Sequence, residues 1–335
     1  MHRSIPGLLT FIVCLGCACA EPTPYASQPG PYTVSVVEQD WTDTARDRVM
    51  PVRMYVPDGA DGQLPVIVFS HGLGGTRSGY EYLGRHWASY GYLCVHIQHP
   101  GSDDAAWRGQ ADPMASMKAA ANGRNTMQRG LDIKFALDQL EALQAADPVL
   151  RGKLDLDRVG FAGHSFGAHT TLMAIGQVFP LPGGRDFSFG DPRVKAAIAL
   201  SPAPMGKGDP AKAYGAIATP CFHMTGTADS SIITDTQPDA RRVPYDNITR
   251  ADQYLLILQD GDHMVFSGAR RHGDGMKDAV HHSLILQSSV AFWDAYLKGD
   301  PKALDWLTGE GFAGVLGDEG TFEMKRPTAP LGGNP

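Results

Sequence analysis

Cysteine is scarce in this chain, and its placement argues against a fold built on disulfides. Three of the five cysteines lie within the first 20 residues, so only Cys94 and Cys221 remain in the body of the sequence. Both lie in apolar runs, which is typical of buried thiols. The fold must therefore rest on a hydrophobic core, for which 335 residues with 43% hydrophobic side chains are sufficient.

Basic clusters and the common metal and nucleotide motifs are also missing. The net charge is −7, and no tract of lysine or arginine offers a surface for nucleic acid or anionic lipid. The sequence has no H-E-x-x-H, no C-x-x-C beyond the first 20 residues, and no G-x-G-x-x-G after the first predicted strand. We therefore expect no metal, no cofactor and no nucleic-acid partner.

The first 20 residues resemble an export signal. Arg3 precedes an uncharged stretch over residues 5–20, which ends in Ala18-Cys19-Ala20. This stretch is shorter than the roughly 20 apolar residues of a membrane-spanning helix. A buried first helix is the alternative, but residues 21–31 are rich in proline and serine, as is typical of a linker. We therefore predict an exported protein.

Two kinds of processing are compatible with this signal. The A-x-A ending predicts ordinary cleavage after residue 20. Leu15-Gly16-Cys17 also resembles a bacterial lipoprotein signal, in which Cys17 would carry a lipid anchor. Cys14 stands where such signals usually have an aliphatic residue. The predicted location is accordingly periplasmic, secreted or lipid-anchored.

Beyond residue 31, apolar runs alternate with helical patterns. The predicted strands are Tyr32–Val37, Val52–Val56, Val66–Ser70, Leu93–Ile97, Val159–Gly163, Ala196–Ser201, Cys221–Thr225 and Tyr254–Leu258. The main predicted helices are Tyr80–Tyr90, Thr126–Ala146, Ala168–Gln177 and Ser283–Leu297. The later strands are continuously apolar, as in a parallel sheet covered on both faces. The first two strands have no helix between them, which predicts an antiparallel edge.

A single domain is predicted for residues 32–320, because no repeat or linker interrupts them. Residues 321–335 are rich in proline and glycine, which predicts a flexible tail. Four long connections are expected to wall a pocket or to extend into solvent. They are Pro100–Asn125, Phe179–Pro192, Gln237–Ala251 and Ser267–His282.

One serine stands between two glycines at a strand-to-helix junction. Gly163-His164-Ser165-Phe166-Gly167 fits the G-x-S-x-G pattern. A sharp turn at this point strains the central residue, and side chains at the flanking positions would collide with backbone. Ser165 then projects as an exposed nucleophile, and the N–H of Phe166 lies at a helix N-terminus where it can stabilise an anion. The alternative is a serine that only caps the helix.

A serine hydroxyl needs a base, and the chain offers one in the expected order. In the G-x-S-x-G context an acid and then a histidine follow later strands. Asp229 comes just after the predicted strand Cys221–Thr225, and His263 comes just after Tyr254–Leu258. Both should reach the same sheet edge as Ser165, which predicts a Ser165–Asp229–His263 triad.

Other residues compete less well for these roles. His272 lies in a polar loop, and His281 and His282 precede the last predicted helix. Asp235 lies farther from its strand than Asp229, which could itself be an ordinary turn aspartate. Four more of the 12 histidines are better explained as packing or surface residues: His96, His164, His169 and His223.

The loop after the third predicted strand is a candidate for a second anion-stabilising group. It reads His71-Gly72-Leu73-Gly74-Gly75, and its glycines allow backbone amides to turn inward. We predict that the N–H of Leu73 completes an oxyanion hole with the N–H of the residue after the serine. The alternative is that this loop is a tight turn without a catalytic role.

Several segments together resemble the platelet-activating factor acetylhydrolase family of α/β-hydrolases, including its bacterial members. The resemblance is carried by FSHGLGG, ASYGY, LDIKFALDQLEAL and VGFAGHSFGAHT, from about Leu64 to Thr171. It continues more loosely through Asp229 and His263. The sequence departs from the family at Ala168, where a second glycine is common.

The resemblance implies an α/β-hydrolase fold with a mostly parallel eight-stranded sheet and no cofactor. It places the nucleophile on Ser165, the acid on Asp229, the base on His263, and the oxyanion amides on Leu73 and Phe166. It also implies cleavage of short or oxidised acyl groups from phospholipids. The implied strand order separates the two remaining cysteines by about four strands, or roughly 19 Å, which excludes a disulfide between them.

Two alternatives remain for the function. The first is a broad carboxylesterase or polyester hydrolase, although cutinase-like sites usually have methionine after the nucleophile and an aromatic at the first oxyanion position, where this chain has Phe166 and Leu73. The second is a non-catalytic binding protein on the same fold, which would normally have lost a member of the triad. The region Gly101–Asn125, which helps to shape the acyl pocket, shows no clear match to the family.

Overall fold

The computed structural model describes residues 25–181, 183–204, 208–231, 233–268 and 275–327. The predicted export signal, including Cys17, lies outside these residues. No helix within them is long and apolar enough to cross a membrane.

A nine-stranded sheet organises the described part of the chain. The strands are β1 Val34–Asp43, β2 Arg48–Pro57, β3 Leu64–Ser70, β4 Leu93–Ile97, β5 Leu154–His164, β6 Val178–Pro180, β7 Asp186–Ser188, β8 Val194–Leu200, β9 Cys221–Ala228, β10 Gln253–Asp262 and β11 Gly320–Lys325. The order across the sheet is β1-β2-β4-β3-β5-β8-β9-β10-β11, and β6 pairs with β7 in a separate hairpin. Six central strands, β4 to β10 in that order, run parallel, whereas β1, β2 and β11 are antiparallel to their neighbours.

Helices cover both faces of this sheet. They are α1 Glu81–Ser89, α2 Pro113–Ala120, α3 Gly123–Ala146, α4 Phe166–Ala174, α5 Pro210–Tyr214, α6 Val243–Asn247, α7 Gly275–Leu297, α8 Pro301–Thr308 and α9 Glu310–Leu316. Ile67 and Phe69 of β3 face a core shared with α1 and α7, whereas Val66 and Val68 face the core shared with α3 and α4. Every residue of β3 is therefore buried, which explains its continuous apolar sequence.

The predicted fold class is confirmed, but the predicted strand count is wrong. The mostly parallel sheet and the antiparallel β1–β2 edge are present as expected. The ninth strand is β11, which pairs with β10 over residues that the sequence assigned to a flexible tail. The ring of Phe322 on β11 stacks against the ring of Tyr254 on β10. The tail prediction is therefore wrong for residues 321–325.

The predicted linker is also partly packed against the domain. The Tyr25 side chain is buried, and its ring lies 4.9 Å from that of Trp306. The N–H of Gly30 donates to the hydroxyl of Ser89. A proline-rich composition predicted a free segment, but aromatic contacts anchor its described half.

Candidate active site

The turn between β5 and α4 carries the candidate nucleophile in a strained conformation. Ser165 has φ 56° and ψ −115°, which is rare for a residue other than glycine. A Cβ on Gly163 would lie 2.4 Å from the carbonyl oxygen of Gly167, and one on Gly167 would lie 1.9 Å from that of Ser70. Backbone crowding therefore requires both glycines, as the sequence pattern predicted.

The three predicted triad residues meet at the carboxyl edge of the sheet. The hydroxyl of Ser165 lies 3.0 Å from Nε2 of His263. Nδ1 of His263 lies 2.9 Å from Oδ1 of Asp229. The Asp229 carboxylate is fully buried, whereas the His263 side chain is 19% exposed. Because Nδ1 donates to the carboxylate, Nε2 is free to accept the serine proton.

Three further side chains, which the sequence did not single out, hold the Asp229 carboxylate. Thr225 donates to Oδ2 at 2.9 Å, and Ser201 donates to Oδ1 at 2.9 Å. The guanidinium of Arg241 lies 3.2 Å from the same Oδ1. Burial alone raises the pKa of Asp229, but the hydrogen bond from His263 and the charge of Arg241 outweigh it and leave that pKa below its usual value.

A chain of hydrogen bonds runs behind the serine, from the glycine-rich loop to the backbone of the base. The N–H of Gly72 donates to the hydroxyl of Tyr80 at 3.3 Å, and that hydroxyl lies 2.7 Å from Nδ1 of His164. Nε2 of His164 lies 2.9 Å from the carbonyl oxygen of His263. That carbonyl can only accept, so Nε2 of His164 carries the proton and Nδ1 accepts from Tyr80.

Burial fixes the protonation states of the side chains in this series of hydrogen bonds. It raises the pKa of Tyr80 to about 12 and lowers the pKa of His164 well below its ordinary value. Tyr80 itself has φ 60°, a left-handed conformation that is rare for an aromatic residue. The predicted packing role of His164 is thus too simple, because this residue connects Tyr80 to the segment that carries His263.

The two predicted oxyanion residues line the same cavity as the serine. The loop that carries Leu73 is held from below by Arg129, which is fully buried and donates to the carbonyl oxygen of His71 at 2.8 Å. The same guanidinium lies over the ring of Phe166, 4.2 Å from its centre. Arg129 therefore connects both segments that carry the predicted amide donors.

The cavity above Ser165 has a volume of about 580 Å³ and a largely apolar lining. Its apolar walls come from Met114, Met117, Ala203, Pro204 and Ile233. The two methionines lie on α2, inside the long connection Pro100–Asn125, so this connection does shape the pocket as expected. Gln237–Ala251 contributes Arg241, whereas much of Ser267–His282 lies outside the described residues.

The competing candidates lie elsewhere. Asp235 is exposed in a turn, and His272 lies outside the described residues. His281 is buried on α7, and His282 lies 2.7 Å from the carbonyl oxygen of Val265 through Nε2. His96 and His223 are buried packing residues, as predicted, whereas His169 is partly buried and lines the cavity above Ser165. In the described ranges, no group of histidine, cysteine and acidic side chains is arranged to hold a metal ion.

A second Ser–His–Asp set lies inside the protein, and no motif in the sequence indicates it. The hydroxyl of Ser70 lies 2.9 Å from Nε2 of His99, and Nδ1 of His99 lies 2.9 Å from Oδ2 of Asp132. All three side chains are buried, and Arg48 makes a two-pronged ion pair with Asp132. This set lies next to the loop that carries Leu73.

The sheet order and the placement of serine, acid and histidine after successive strands define an α/β-hydrolase. The sequence model of platelet-activating factor acetylhydrolase, isoform II, matches residues 48–119. This match extends into Gly101–Asn125, so the expectation that this region has no family counterpart is wrong up to residue 119. The two remaining cysteines lie on β4 and β9, four strands apart and unpaired, as expected.

Curated proteins of the same name as the matched family model are also similar to this chain. The platelet-activating factor acetylhydrolase of Cavia porcellus is 27% identical over 179 residues, which cover 46% of this chain and 38% of the relative. The protein of that name from Canis lupus familiaris is 25% identical over 34% of this chain and 32% of its own length. That of Bos taurus is 25% identical over 48% and 39%. The chain thus matches less than two fifths of the length of these platelet-activating factor acetylhydrolases, to which it is similar.

Proposed function

We propose that the protein is a serine ester hydrolase that works through an acyl-enzyme on Ser165. The observation that carries the proposal is the 3.0 Å contact between the Ser165 hydroxyl and Nε2 of His263 at the floor of an open cavity. A nucleophile and a base at this distance, with the base oriented by a buried carboxylate, are the requirements for acyl transfer.

The reaction follows from the protonation states. Nε2 of His263 takes the serine proton as Oγ attacks the ester carbonyl carbon. The amides of Leu73 and Phe166 stabilise the oxyanion, and one such donor is typically worth about 3 kcal/mol. His263 then protonates the leaving alcohol, and a water that gives its proton to the same histidine releases the acid.

For the substrate we propose acyl esters with a short chain, including those of phospholipids. The apolar walls around Ser165 suit an acyl chain, and the curated relatives are named platelet-activating factor acetylhydrolases. A broad carboxylesterase is the alternative, because a cavity of about 580 Å³ has room for more than a short acyl chain. We also propose that the chain is exported. The mass of the secreted chain would distinguish cleavage after Ala20 from a lipid anchor on Cys17.

The test is labelling with a fluorophosphonate probe, followed by a panel of esters of graded acyl length. We expect labelling of the wild-type protein and of Ser70→Ala, and none of Ser165→Ala. Ser165→Ala should lower ester hydrolysis by about 10⁴-fold or more. Labelling of the Ser165→Ala variant, or parental turnover by it, contradicts the proposal. A rate that falls steeply beyond short acyl chains supports the narrower substrate class, whereas a flat response supports the broad esterase.

A further inference from the structure

A buried arginine touches both the acid and the base of the candidate triad. The Arg241 side chain is 1% exposed, and its Nη2 lies 3.2 Å from Oδ1 of Asp229 and 3.3 Å from Nδ1 of His263. Its Nε donates to the carbonyl oxygen of Asp229, and its Nη1 donates to that of Ser201. The guanidinium is therefore fixed by two backbone acceptors beside the carboxylate.

The contact between Arg241 and His263 is repulsive rather than a hydrogen bond. Nδ1 of His263 already donates its proton to Asp229, and a guanidinium nitrogen has only donors to offer. Two N–H groups therefore compete for Oδ1. A positive charge at this distance opposes the formation of a second positive charge on the imidazole.

Arg241 changes the net charge of the buried cluster that it forms with Asp229 and His263, compared with an aspartate–histidine pair alone. A histidine beside an aspartate alone gains a proton to reach neutrality, which favours the charged imidazole. Here Asp229 and Arg241 already neutralise each other, so the protonated His263 would leave one uncompensated positive charge. The acid therefore orients the base, while the arginine offsets most of its electrostatic pull on the proton.

Other groups that face His263 do not perform this function. His164 from the end of β5 is neutral and donates to the carbonyl oxygen of His263. The carboxylate of Asp262 is turned to the backbone amides of Met264 and Val265. The Ser201 hydroxyl, 2.8 Å from Nδ1, carries no charge. Among the described groups that contact His263, Arg241 supplies the fixed positive charge.

We propose that Arg241 is a positioning residue whose fixed positive charge opposes the protonation of His263 and so preserves its ability to act as a base. The proposal rests on the hydrolase function proposed above. Ser201 serves the same arrangement, since its φ of 54° turns its carbonyl oxygen toward Nη1 while its hydroxyl reaches Asp229. A left-handed serine at a buried strand end is uncommon and is held here by these contacts.

The test is the pH dependence of kcat/KM for Arg241→Met, with Arg241→Lys as the matched variant that keeps the charge. We expect the acid limb of Arg241→Met to move upward by about 1 pH unit, because the imidazole gains a proton more easily once the arginine is gone. Arg241→Lys should restore most of the parental profile. Ser201→Ala, which removes a contact without removing charge, should lower kcat and leave the acid limb in place.

The outcomes separate this proposal from the proposed function. If the wild-type protein hydrolyses no ester and reacts with no fluorophosphonate, the hydrolase function fails. If the wild type is active and the acid limb of Arg241→Met coincides with it, or Arg241→Lys shifts as far as Arg241→Met, the role of Arg241 is refuted. If Arg241→Met does not fold, Arg241→Gln keeps donors for the two carbonyls, and the pH dependence of its labelling rate gives the same decision.

Discussion

The protein contains two Ser–His–Asp sets with nearly the same hydrogen-bond geometry and very different surroundings. In the set at the cavity the serine-to-histidine distance is 3.0 Å, and in the interior set it is 2.9 Å. The histidine-to-aspartate distance is 2.9 Å in both. Nevertheless, His263 is partly exposed, whereas His99 is completely buried.

The comparison shows that hydrogen-bond distances alone do not define a catalytic site. Ser70 ends a regular strand and its hydroxyl also accepts from Arg129, so no ester can approach it. Ser165 is held in a strained turn that presents its hydroxyl to a cavity, with the N-terminus of α4 beside it. Access and an anion-stabilising environment distinguish the two sets.

The largest expected effect comes from replacing each aspartate. Asp229→Asn should lower kcat by about 10³- to 10⁴-fold per folded molecule, because the wrong histidine tautomer is then favoured, and should also lower the melting temperature, because the buried Arg241 keeps its charge without a partner. Asp132→Asn should retain activity per folded molecule but lose about 3 kcal/mol of stability, because it removes the buried carboxylate that neutralises the partly buried Arg46 and Arg48. Kinetics and urea unfolding of the purified variants measure both.

The reverse pattern would overturn the comparison. If Asp132→Asn abolished hydrolysis while unfolding at the parental urea concentration, the interior set would belong to the reaction. Asp138→Asn, an exposed aspartate on the same helix as Asp132, is the matched control and should change neither property.

The second expected effect is a loss of stability in acid. Burial lowers the pKa of His99 to about 4, and the pKa values of several other interior histidines are lowered similarly. These are His86, His96 and His223. The folded state therefore binds fewer protons than the unfolded chain, so stability is complete above about pH 6.5 and falls as the pH drops toward 4.

Urea unfolding between pH 7.5 and 5 measures this effect. Each of these histidines contributes up to about 1.4 kcal/mol of loss per pH unit below its unfolded value. A stability that stays constant down to pH 5 would show that these side chains are not buried in neutral form. His99→Gln cannot gain a proton at this position. It should therefore reduce the slope of the unfolding free energy against pH by up to about 1.4 kcal/mol per pH unit, which corresponds to one proton.

The smallest expected effect concerns a contact that only the cavity set possesses. Tyr80→Phe removes the hydroxyl between Gly72 and His164, which loosens the loop that carries Leu73. We expect kcat to fall by about fivefold with KM nearly unchanged, since a lost buried hydrogen bond costs about 1 kcal/mol. Tyr82→Phe, whose hydroxyl donates to the carbonyl oxygen of Phe266, is the matched control. A fall of the same size in both variants would argue against a specific role for Tyr80.

The sequence predicted the parts of the molecule that depend on local pattern. The contact of Ser165, Asp229 and His263 could be predicted because each follows a strand, and parallel strands deliver their carboxyl ends to one edge. Ser201 and Arg241 were missed because their contacts depend on the register of β8 and β9 and on a left-handed serine, which leave no periodic signal. Asp132 and His99 read as ordinary helix and strand-end residues for the same reason.

Composition misled the prediction at both ends of the domain. Proline and serine around Tyr25 suggested a free linker, although one aromatic ring was enough to dock it on Trp306. Proline and glycine beyond Lys325 concealed the short alternation of β11. In both cases long-range packing outweighed a local preference that is weak by nature.

The strand β11 can complete the sheet only late in the synthesis of the protein, because it follows the other strands of the sheet in the chain. It covers the outer edge of β10, the strand that leads into His263, and it lies beyond α7, α8 and α9 in the chain. While the ribosome is still making those helices, the backbone groups along that edge have no partner and can pair with another nascent chain. The segment that carries the proposed base His263 therefore gains its final support late, and a chain that ends after α9 should aggregate rather than fold with a weakened site.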